Sequence, residues 1–127
     1  MLNCGEVIVV EENFIRNSLM EKTNSHMPVQ LDKKFMPNKD EKINNAKLEL
    51  HLQVGEKDSS EFPFYYAIKL AGIFNWEDKT VEDMEEEISQ EGVEMLYSFI
   101  RTYFYDMLKK SELPALVLPS MREWKND

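Results

Sequence analysis

One cysteine, two histidines and four glycines are all that 127 residues contain of these types. Each shortage removes a class of function. A lone thiol, Cys4, cannot close an internal disulfide and suits a reducing compartment. As a nucleophile it would need a basic, partly shielded setting, yet its neighbours are Asn3, Gly5 and Glu6. His26 and His51 have no cysteine or carboxylate at a recurring metal-ligand spacing, so neither metal nor cofactor is expected. No glycine falls in a GxGxxG or GxxxxGK arrangement, which removes the usual phosphate cradles.

Long apolar runs are missing too. Phe62 to Tyr66 and Leu113 to Leu118 are far shorter than the roughly 20 residues of a membrane-spanning helix. The start, Met1 to Glu6, has neither the basic nor the apolar region of a secretory signal, so a cytoplasmic protein without membrane insertion is expected. Positive charge is also scarce. Fifteen Lys and Arg stand against 24 Asp and Glu, and the net charge of -9 disfavours nucleic acid, whose affinity for proteins rests on clustered cations.

What remains is the composition of a folded domain, 43% hydrophobic and 31% charged, at the size of one domain spanning residues 1–127. Glu6 to Glu11 is a β-branched run that predicts a first strand, resumed beyond a bend at Phe14 and Ile15. The stretch from Glu21 to Asn45 is polar, carries Pro28 and Pro37, and predicts a long, partly anchored loop. Lys47 to Val54 alternates strictly, with Leu48, Leu50, Leu52 and Val54 on one face. After turn chemistry at Gly55 to Ser60, Phe62 to Phe74 resumes strand character and completes an antiparallel hairpin.

Thr80-Val81-Glu82-Asp83 predicts a capping box at a helix start, and Gly92 is expected to interrupt that helix. Beyond it Val93, Leu96, Tyr97, Ile100, Phe104, Met107 and Leu108 recur at spacings of three and four, with an end near Lys109-Lys110. Phe99, Tyr103 and Tyr105 widen the apolar arc beyond one core stripe. With Arg101, whose guanidinium suits an ion pair or an aromatic face, they are candidates for an oligomer interface. Glu85-Glu86-Glu87 points three ways round the axis and reads as a solvated face.

Three strings in order resemble the SecB family of export chaperones. Ala71-Gly72-Ile73-Phe74 ends a long aromatic strand, as the family's Ala-Gly-Ile-Phe does. Leu96-Tyr97-Ser98-Phe99-Ile100-Arg101 is similar to the Leu-Phe-Pro-Tyr-Ala-Arg segment, with Ser98 where the family has proline. Leu113 to Pro119 is similar to the proline-rich loop that follows. The resemblance implies an α+β fold, an antiparallel sheet of about four strands packed with a long C-terminal amphipathic helix. It also implies a dimer or tetramer and a role in holding non-native chains. The family continues into a second long helix, for which only Met121 to Asp127 is left, so a shortened, divergent member is expected.

The function expected is therefore that of a holdase for unfolded or partner polypeptides, not an enzyme and without nucleotide. The alternative is an oligomeric adaptor with one dedicated protein partner. Candidate peptide-binding residues are Phe62, Phe64 and Tyr66, or Tyr65 on the reverse face, rimmed by Leu118, Met121 and Trp124. An in-phase aromatic stripe is equally the mark of ordinary core beneath a helix.

Overall fold

The computed structural model describes residues 3–17, 28–40, 42–58, 62–113, 116, 118 and 119. Four strands, β1 (Asn3–Arg16), β2 (Val29–Pro37), β3 (Asn45–Gly55) and β4 (Phe64–Asn75), form one antiparallel sheet in the order β1-β4-β3-β2. A helix follows in three parts: α1 (Val81–Glu87), a π turn (Ile88–Gly92) and α2 (Val93–Lys110).

Period-2 patterning sets the register. Leu50 stands opposite Leu70, Leu52 opposite Ile68 and Val54 opposite Tyr66, so both central strands send their apolar rows to the same face. On that face lies the helix, whose Val93, Leu96, Tyr97, Ile100, Phe104 and Leu108 join the strand residues in one buried cluster. Phe104 is the centre of an aromatic group, with ring centroids 5.4 Å from Tyr66, 5.7 Å from Tyr105 and 6.3 Å from Phe64.

The helix begins where its cap residues dictate. Asp83 donates its amide to the Thr80 hydroxyl at 3.2 Å, and the Asp83 carboxylate accepts from the Thr80 amide. Gly92, expected to interrupt the helix, instead keeps helical dihedrals (φ -63°, ψ -40°) and closes the π turn that carries the helix on into α2. Lys33 on β2 donates its ammonium to the Ser89 carbonyl inside that turn, at 3.3 Å. Two glycines meet at the seam between helix and sheet. A Cβ on Gly72 would lie 2.9 Å from Phe74 Cε2 and 3.0 Å from Leu96 Cδ2, and one on Gly92 would lie 3.2 Å from Phe74 Cζ. The Ala71-Gly72-Ile73-Phe74 string therefore supplies a flat seat for the helix as well as the end of a strand.

Two further readings of the sequence are corrected. The stretch expected to be loop contains β2, in which Val29, Leu31 and Phe35 are half-buried and face the helix side. Lys33 takes the intervening helix-side position opposite Leu50, and the bounding prolines completed the disguise. The bend expected near Asn13 is a bulge between Val9 and Glu11, with a second between Cys4 and Glu6, and β1 runs on to Arg16. Asn17 then ties its end down: the backbone amide donates to the Pro63 carbonyl, and the side chain donates to the carbonyls of Glu56 and Phe62.

Gly72→Ala is expected to cost about 1–3 kcal/mol through overpacking. A urea titration checks this: the midpoint should fall at constant slope. An unchanged midpoint would mean that Phe74 and Leu96 part freely.

Candidate functional site on the flanks of the helix

The helix-side residues of β1 follow from its pairing with β4: Val7 opposite Gly72, Val9 opposite Leu70, Glu12 opposite Ile68 and Phe14 opposite Tyr66. The helix leaves them incompletely covered. Phe14 and Val7 are half-buried, and Val9 is 38% exposed. Above this row runs an apolar stripe on α2, spaced four residues apart, in which Met95, Phe99 and Tyr103 are 37%, 45% and 38% exposed. One polar contact crosses beneath it, as the Tyr66 hydroxyl donates to the Glu12 carboxylate at 2.6 Å. Burial, the adjacent Glu12 carboxylate and Tyr103 together push the Tyr66 hydroxyl well above its ordinary range, so it stays protonated and donates.

Residues two apart on a helix lie about 200° apart round its axis. Arg101 and Tyr105 therefore fall on the opposite flank from Phe99 and Tyr103, and the four candidates for an oligomer interface divide into two surfaces. On that second flank the Arg101 guanidinium lies 6.0 Å from the centre of the Tyr105 ring. The chain also turns back there beyond α2, the Leu113 amide donating to the Leu108 carbonyl. The Leu118 amide donates to the Tyr105 hydroxyl at 3.3 Å, and the Tyr97 hydroxyl donates to the Pro119 carbonyl. Leu118 itself is buried.

The expected peptide-binding residues are distributed differently. Phe62, Phe64, Tyr66 and Leu118 lie in the interior, at 7%, 1%, 0% and 4% exposure. Phe64 and Tyr66 pack against Phe104 beneath α2, so they back a surface and do not form one. Tyr65 faces the other side of the sheet, where Gln53 donates to its hydroxyl at 3.3 Å and the Lys57 ammonium sits 5.2 Å from its ring centre. Those three residues help line an open cleft of about 540 Å³ at the start of β2. Met121 and Trp124 lie outside the described residues.

Reasoning from the sequence did not single out Met95, Val9 or Phe14 as surface. The signal was present in Met95, one helical turn from Phe99. Cys4 lies on β1, where burial pushes its thiol up and keeps it protonated. Among the described residues no three His, Cys, Asp or Glu side chains come together to hold a metal ion, and no helix is long and apolar enough to cross a membrane. The site is a set of apolar surfaces suited to contact with protein.

The sequence matches the family described as preprotein translocase subunit SecB over residues 8–122. Among solved structures it is similar to a Mycobacterium tuberculosis SecB-like chaperone in complex with a ChAD peptide from the HigA1 antitoxin. The two share 16% identity and a TM-score of 0.69, over 93% of this chain and 86% of that one. It is also similar to a Streptococcus agalactiae protein of unknown function, at 14% identity and a TM-score of 0.54, over 94% of this chain and 97% of the other. These likenesses establish the fold. No curated protein matches the chain.

The raised Tyr66 predicts a pH dependence with a definite sign. Unfolded, tyrosine ionises near pH 10; folded, this one resists, so the unfolded state binds fewer protons above pH 10 and stability falls there. Below pH 10 the contribution is fully present. Urea midpoints at pH 8 and pH 11 should drop more for the native protein than for Tyr66→Phe, and equal drops would contradict this.

Proposed function

Because the chain belongs to the SecB family, we propose that it holds non-native or partner polypeptides without nucleotide, as a homo-oligomer. SecB is a family of chaperones rather than of enzymes. One observation carries the reading: among the described residues α2 leaves Met95, Phe99 and Tyr103 exposed along one flank, in a molecule of net charge -9. Contiguous apolar surface on so acidic a protein marks sites of protein contact.

The two flanks serve different contacts. The stripe of Met95, Phe99 and Tyr103 adjoins β1, a sheet edge whose Ile8, Val9 and Val10 are exposed at 43%, 38% and 49%. A free edge of this kind pairs readily with another strand. Pairing β1 with β1 of a second copy continues the sheet and brings two stripes together over the join. Charge along the helix supports an antiparallel arrangement, since Glu91 and Glu94 stand near the start of α2 and Lys109 and Lys110 at its end. A dimer, or a dimer of dimers, follows. The second flank, with Arg101 and Tyr105, takes polypeptide.

A second reading has one observation in its favour: the solved SecB-like neighbour holds a peptide from a single named partner. By that reading this chain is an adaptor for one dedicated protein. Aggregation assays separate the two. A general holdase suppresses aggregation of several unrelated unfolded proteins, whereas an adaptor protects none of them and captures one partner in fixed ratio.

Phe99→Asp is expected to halve the sedimenting mass while leaving the circular dichroism spectrum unchanged. An unaltered mass would remove Phe99 from the interface.

A further inference from the structure

We propose that assembly through the β1 flank is governed by the charge on Glu12: the ionised carboxylate weakens the pairing of two copies, and a proton taken up there strengthens it. This rests on the assembly reading above and names its regulation.

Glu12 stands where the three elements of that flank meet. It lies on the helix side of β1 between Val9 and Phe14, opposite Ile68. From β4 the Tyr66 hydroxyl donates to its carboxylate at 2.6 Å, and from α2 Tyr103 lies near enough to help hold the Tyr66 proton. The surroundings are otherwise apolar, with Val9, Met95 and Phe99 exposed and Phe14 half-buried. Few other charges face this side. Arg16, further along β1, donates to the Ser111 carbonyl at 3.2 Å. On α2 the helical period puts Asp106 and Lys110 on the same flank beyond Tyr103. Among the described residues no cation forms an ion pair with Glu12.

An ionised carboxylate has about four acceptor sites, and Tyr66 fills one of them. In the single chain water serves the rest, since Glu12 is exposed. A second copy paired along β1 removes that water. With the exposed Ile8, Val9 and Val10 at the centre of an antiparallel pair, Glu12 comes against residues 5–8 of the other copy, a stretch with no cation and one further carboxylate. A charge covered in this way without a counter-ion opposes its own burial. The assembled state therefore binds more protons at this position than the separate chains do, and association strengthens as the pH falls.

The test measures the dissociation constant of the assembly by sedimentation across a dilution series, for the whole native protein and for Glu12→Gln, at pH 7.5 and pH 6.0. Glutamine keeps an oxygen for the Tyr66 hydroxyl and loses the charge. At pH 7.5 the variant is expected to associate at least about 10-fold more tightly than the native protein. Lowering the pH should tighten the native assembly more than the variant's. Equal or weaker association by a folded variant overturns the proposal, the weaker result meaning that a cation of the second copy pairs with Glu12. Should Glu12→Gln fail to fold, dilution calorimetry of the native protein in two buffers of different ionisation enthalpy decides: dissociation should release protons, and none released overturns the proposal. If the native protein associates and neither the variant nor the pH changes its affinity, the proposal falls and the assembly reading stands. If neither form associates at any concentration, both fall.

Discussion

The seating of one helix on two strands governs everything else in this molecule. A helix with its side chains is about 10–12 Å across, and strands lie about 4.8 Å apart, so a single helix covers roughly two strands of a sheet. Here those are β3 and β4, whose Leu48, Leu50, Leu52, Tyr66, Ile68 and Leu70 are all at most 1% exposed. Gly72 and Gly92 let the helix settle against Phe74 at one end, while Phe104 fills the space against Phe64 and Tyr66 at the other. The outer strands β1 and β2 are only partly covered by it.

The two outer strands meet that deficit differently. On β2 the helix side carries Lys33, whose ammonium reaches the π turn and whose charge protects an edge from stray pairing. On β1 the helix side carries Cys4, Val7, Val9 and Phe14, with two charges that are both engaged, Glu12 by Tyr66 and Arg16 by the Ser111 carbonyl. On the proposed function, that asymmetry favours the β1 flank for assembly and the Arg101 and Tyr105 flank for polypeptide.

The central hairpin and the helix were legible because each has one clean period. Leu48 to Val54 alternates without exception, and the α2 stripe recurs at three and four. The Thr80 cap was equally plain, being a local interaction between residues three apart. β2 was hidden because Lys33 breaks its alternation for a contact with Ser89, 56 residues away. The site was harder still. Phe62, Phe64 and Tyr66 carry the pattern of either core or groove, and the choice depends on which strands the helix covers, a tertiary fact. Phe99 and Tyr103 were found as excess apolar surface because the helix wheel alone puts them off the core stripe.

The claim that one chain leaves apolar surface which other chains cover is tested most directly by light-scattering molar mass, alone and with excess reduced, unfolded client. The account predicts a dimer or tetramer that shifts to a stable heavier complex. A monomer whose mass ignores the client would contradict it.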